Sequence, residues 1–141
     1  MKRIACYSFL FCKEVMNFSD YIYVDDYAFD NFDKIKENMD KRKKLITDTF
    51  FVINLNEYTS KLEFNEWMFL LQRHYKENPP LIVGLAKDYD SARDLTCHMI
   101  ENCMIKVGNL DYIAYLATLP SIGEDSEKPK LLKISGGKMY V

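Results

Sequence analysis

The chain is expected to form one three-layer, Rossmann-like α/β domain: a small, mainly parallel sheet of about four strands between helices, with a C-terminal β-hairpin. Three observations predict it. Short apolar segments alternate along the sequence with segments whose apolar residues recur at helical spacing, a pattern that favours strands joined by crossover helices. Of 141 residues, 48% are hydrophobic and 28% charged, which suits one buried core and argues against a disordered chain. Pro79-Pro80 and Gly108 fall between those segments rather than inside them.

The elements follow in order. Residues 3–11 form a continuous apolar run suited to a strand covered on both faces. Residues 13–20 are punctuated by polar groups and are expected to connect, and 21–24 (YIYV) form a second short strand. A first helix is expected over 29–46, with Phe29, Phe32, Ile35 and Met39 on its apolar stripe. Residues 49–55 (TFFVINL) give the strongest strand signal, short, aromatic and β-branched. Ser60 and Glu63 have the spacing of a capping box, and Phe64, Trp67, Met68, Leu71 and Tyr75 then predict a helix that Asn78-Pro79-Pro80 ends.

Residues 81–86 (LIVGLA) form another apolar strand. A helix capped by Asp90 or Ser91 should follow, burying Ala92, Leu95, Met99, Ile100, Cys103 and Val107 and ending at Gly108. Residues 110–119 suit a short helix or a strand. The α/β domain is thus assigned to residues 1–119 and a surface loop to 120–129. A hairpin in 130–141, with arms 131–134 and 138–141 around Ser135-Gly136-Gly137, belongs to the same domain or to a dimer contact.

Composition narrows the function classes. The formal charge is −2, with no overall basic excess for neutralising phosphates, so nucleic-acid binding is not expected. The local run Lys41-Arg42-Lys43-Lys44 fits a solvated helix end. Cysteines at 6, 12, 97 and 103 are expected to stay reduced as small hydrophobes in a cytoplasmic protein. The apolar start lacks a small-x-small cleavage site, and no window approaches the ~18 apolar residues of a membrane span.

Six residues make the sharpest candidate site. Asp25 and Asp26 close the strand at 21–24, Asn56 and Glu57 follow 49–55, and Lys87 and Asp88 follow 81–86. Ligands of open parallel sheets bind beyond the strands' carboxyl ends. These oxygens suit a hard cation such as Mg²⁺, with Lys87 turned to a phosphate. The competing explanation is local, since Asp and Asn in turns satisfy nearby backbone groups. No phosphate loop or nucleophile elbow is present: Gly84 is the only glycine before Gly108. Cys97, His98 and Cys103 lack the i, i+3 or i+4 spacing of helical metal ligands.

The sequence therefore predicts a non-catalytic module that binds a protein partner or a small ligand. The alternative is a metal-dependent enzyme acting on a phosphate ester at the strand ends. Self-association as a dimer is expected from the apolar hairpin and the aromatic content, 14%.

Overall fold

The computed structural model describes residues 16–41, 49–56, 59–72, 75, 77–120 and 129–134. The expected strand at 3–11, the arm at 138–141, and Glu57, His74 and residues 42–44 of the basic run lie outside them. Among the described residues five strands make one sheet: β1 (Asn17–Val24), β2 (Phe51–Asn56), β3 (Lys61–Glu66), β4 (Leu81–Ala86) and β5 (Lys130–Lys133), in the order β3-β2-β4-β1-β5. The sheet is mixed rather than mainly parallel. β1 runs parallel to β4 and β5, whereas β2 runs antiparallel to both β4 and β3.

Central strands are apolar on both faces because both are covered. Residues 21–24 of β1 are all buried, as are 82–86 of β4. The edge strands differ: β3 alternates exposed Lys61 and Glu63 with half-buried Leu62 and Phe64, and β5 carries exposed Lys130 and Lys133 at its ends. Charged residues on an edge discourage pairing with another chain. Gly84 lies where β4 shifts register against both neighbours. A Cβ there would come within 2.8 Å of Ile53 Cδ1, so the glycine permits the close approach of β2.

One face of the sheet is packed by α1 (Asp26–Asp30), α2 (Phe32–Asp40) and a 3₁₀ turn at Trp67–Leu71. Here Ile22, Val24, Val52, Ile82 and Leu85 meet Phe32, Ile35, Met39, Trp67 and Leu70. The opposite face is packed by α3 (Tyr89–Val107) and α4 (Tyr112–Ala117). Tyr23, Ile53, Leu55 and Val83 there meet Leu95, Met99, Cys103, Tyr112 and Tyr115.

The largest departure from the sequence reading is at 61–71. The expected helix from Ser60 is the hairpin partner of β2, followed by the 3₁₀ turn. Ser60 has φ +61°, and its N–H donates to Asn56 O at 2.7 Å. It therefore closes the β2–β3 turn in left-handed geometry, not the extended geometry of a helix N-cap. Trp67 stacks on Phe50 with centroids 5.9 Å apart, and Trp67 and Leu70 are buried where Met68 and Leu71 are only partly so.

Three smaller corrections follow, and the helix-or-strand alternative at 110–119 is decided. β1 begins at Asn17, inside the segment expected to connect. The helix expected over 29–46 is broken at Asn31 into α1 and α2, and this leaves Phe29 exposed. Residues 110–119 contain a helix, whose N-cap Asp111 accepts from Ala114 N. On α3 the N-cap is Asp88, His98 is buried, and Ile100 is exposed rather than in the core. Gly108 ends α3 with φ +88°, the left-handed turn that glycine adopts readily.

Candidate functional site

The carboxyl ends of β1, β4 and β5 share one edge because these three strands are parallel. That edge gathers Asp25, Asp26, Lys87 and Asp88, four of the six residues singled out from sequence. Asn56 is not with them. β2 runs the other way, so its Asn56 end lies beside Lys61 and the start of β4, and Phe51 is the β2 residue opposite Ala86. The six-residue arrangement needed β2 to be parallel to β4, and their antiparallel pairing removes that premise.

The four gathered residues are engaged locally. Asp25 Oδ1 accepts from Ala28 N at 2.8 Å, capping α1, and its Oδ2 accepts from Lys87 N at 2.9 Å. One carboxylate thus ties the ends of β1 and β4 together. Asp88 Oδ1 accepts from Ser91 N at 2.9 Å and caps α3. The backbone hydrogen bond from Ser91 holds the Asp88 carboxyl below its ordinary value, helped by the Ser91 side chain and the Lys87 charge and opposed by slight burial. Asp26 Oδ1 lies 3.5 Å from Lys133 Nζ, which sits 4.7 Å from the centroid of the Phe29 ring. At the far end Asn56 Oδ1 accepts from Thr59 N at 3.2 Å. Among the described residues no three His, Cys, Asp or Glu side chains gather to hold a metal ion.

A second constellation, missed from sequence, lies between β1, α3 and α4. The hydroxyls of Tyr23 and Tyr115 are 2.8 Å apart, and Asn102 Nδ2 donates to Tyr23 Oη at 2.9 Å. Tyr112 is buried beside them, and its hydroxyl has no hydrogen-bond partner among the described residues. Burial raises the pKa of the Tyr112 and Tyr115 phenols, reinforced by Tyr23 and Cys103 nearby. Burial, then the Asp111 charge, also raises that of the Cys103 thiol, which donates to Asn109 O at 3.2 Å. The raised values favour the neutral forms of these groups, and the Tyr23–Tyr115 hydrogen bond joins β1 to α4.

Two further contacts hold α4 at its ends. Ser60 Oγ donates to Asp111 Oδ1 at 2.7 Å, and Tyr21 Oη donates to Pro120 O at 2.6 Å. The only sequence signal for this arrangement was the excess of tyrosine, ten in the chain; the pairing of 23 with 115 depends on tertiary structure.

A third feature is the outer face of α3. Cys97, Ile100, Glu101, Met104 and Ile105 are exposed along it, and Ile105 is 77% exposed. At 100° per residue they fall within roughly 140° of one another around the helix. Leu110 and Ile113 are exposed in the chain that continues into α4. Cys97 and Cys103 are free, one exposed and one buried, so the two thiols lie on different sides of the helix.

Comparison with models of protein families, with curated proteins and with solved structures finds no match. The chain's own geometry is therefore what bears on its function.

Proposed function

We propose that this chain is a protein-binding α/β module whose contact surface is the outer face of α3. The observation that carries the reading is that Ile100, Met104 and Ile105 are exposed on a long, capped helix whose opposite stripe is already buried in the core. A helix that only covers a sheet keeps its outer face polar, and clustered exposed apolar residues mark interaction surfaces. The metal-dependent phosphate-ester alternative receives less support, because Asp25 and Asp88 are occupied with backbone N–H groups.

A photo-reactive residue at position 104 tests the reading. In cells that express the chain it should form a discrete cross-linked adduct identifiable by mass spectrometry. The same residue at position 37, on the charged face of α2, should form none. Absence of an adduct at 104, or equal adducts at both positions, would overturn it.

A further inference from the structure

We infer that the partner on this face is a helix of another protein that carries a lysine or arginine within its apolar stripe, seated on Glu101. The inference rests on the protein-binding reading above and adds the chemistry of the partner. Two rows of exposed side chains run along the face, Ile100 with Met104 and Cys97 with Glu101 and Ile105. Successive members of each row are four residues apart, and such rows accept a ridge of a second helix between them. At 100° per residue Glu101 lies about 40° from Ile105 on one side and about 60° from Met104 on the other. An occupant that covers the apolar residues therefore strips water from Glu101 as well.

Among the described residues no cation of the chain meets that carboxylate, which makes no ion pair. Arg93 lies eight residues earlier, about 12 Å along the axis at 1.5 Å per residue, and is held by Asp90 at 3.6 Å and Asp94 at 3.4 Å. Lys106 is exposed about 140° round the helix from Glu101. Lys87 and Asp88 precede the helix with opposite charges, and Asp111 caps α4 beyond it. The stripe itself, Asp90, Asp94 and Glu101 against Arg93, is net acidic. Asp90 suits the helix N-terminus in its own right, whereas Glu101 stands in the second half of α3 and has no such role. A carboxylate covered without a cation weakens binding, and one covered with a cation gains a charge-assisted hydrogen bond. The face thus selects its occupant. A second copy packed through the same stripe brings more acid than base, and a nucleic acid or anionic bilayer brings phosphates, so each meets like charge. A lysine or arginine reaches Glu101 while its methylene stem lies on Met104 and Ile105.

Fluorescence anisotropy with three synthetic helical peptides tests the inference. All match the 19 residues of α3 in length, carry one leucine stripe and neutral outer positions, and differ only at the central residue of the stripe: lysine, methionine or glutamate. The full chain should bind the lysine peptide about tenfold or more tighter than the other two. Glu101→Gln should erase that preference with the thermal midpoint unchanged, and Glu101→Lys should reverse it in favour of glutamate. Glu37→Gln, on α2, should leave it intact. Binding of none of the three, equal binding of all, or a lysine preference that survives Glu101→Gln overturns the inference. If that occurs while position 104 still cross-links to another protein, the protein-binding reading stands and only the cation fails. With no adduct at 104, both fail.

Discussion

The helices on the two faces of the sheet solve the same packing problem and treat water differently. α2 buries Phe32, Ile35 and Met39, and its other side carries Asp33, Lys34, Lys36, Glu37 and Asp40. Lys36 pairs with Asp40 at 2.8 Å, and Lys41 beyond its end pairs with Glu37 at 3.0 Å. α3 buries Ala92, Leu95, Met99 and Cys103 just as thoroughly, yet exposes Ile100, Met104 and Ile105 on its outer side. Folding explains the inner stripe of both helices. It explains the outer face of α2 as a solvated surface, and it leaves the outer face of α3 unexplained. That difference separates what the fold requires from what the molecule does with it.

The inner stripes should prove equivalent. Ile35→Ala and Leu95→Ala each remove a large side chain from a site no more than 2% exposed. Each should cost about 2–5 kcal/mol in denaturant unfolding. A loss below about 1 kcal/mol at either position would mean that one layer is loosely applied, and the comparison between them would no longer be of like with like.

How much of this was legible in the sequence depended on whether a signal was local. β4 was readable to the residue, because a glycine-containing apolar run stands between Pro79-Pro80 and Lys87-Asp88. Gly108 announced the end of α3 for an equally local reason. Residues 61–71 misled because Phe64, Trp67, Met68 and Leu71 sit at helical spacing by coincidence. The competing period-two pattern, Lys61-Leu62-Glu63-Phe64, is shorter and gains its weight only from pairing with β2. The six-residue site failed for a separate reason: β2 pairs antiparallel with β4, which places Asn56 at the far end of the sheet. Asp25 was found for the wrong reason: its position at a strand end was read correctly, but both its oxygens serve the backbone. The exposed face of α3 was hidden by its own apolarity, because Ile100 was counted into the core stripe.

A smaller effect concerns pH. Aspartate caps begin α1 (Asp25), α3 (Asp88) and α4 (Asp111). The Ser60 side chain, then the backbone N–H of Ala114 and of Ile113, hold the Asp111 carboxyl below its ordinary value, as Ser91 does for Asp88. A carboxyl whose folded pKa is depressed stabilises the fold above its unfolded value, about 3.9. That contribution is lost as the pH falls through the lower folded value. Acidification below about pH 4 should therefore destabilise the protein partly through these caps. Asp88→Asn and Asp111→Asn keep a capping oxygen without the titration, so each should flatten the acid limb of the stability curve. An unchanged limb in both variants would mean that these two caps do not carry the acid sensitivity.

The central claim is that the outer face of α3 serves association and not folding. Its most direct measurement is the unfolding free energy and the cross-linking of one variant, Met104→Lys with Ile105→Glu, that carries the photo-reactive residue at position 100. Its stability should stay within about 0.5 kcal/mol of the parent, as expected for exposed positions. The adduct that the parent forms from position 100 should be lost in the variant. A loss of several kcal/mol, or an adduct equal to the parent's, would contradict the account.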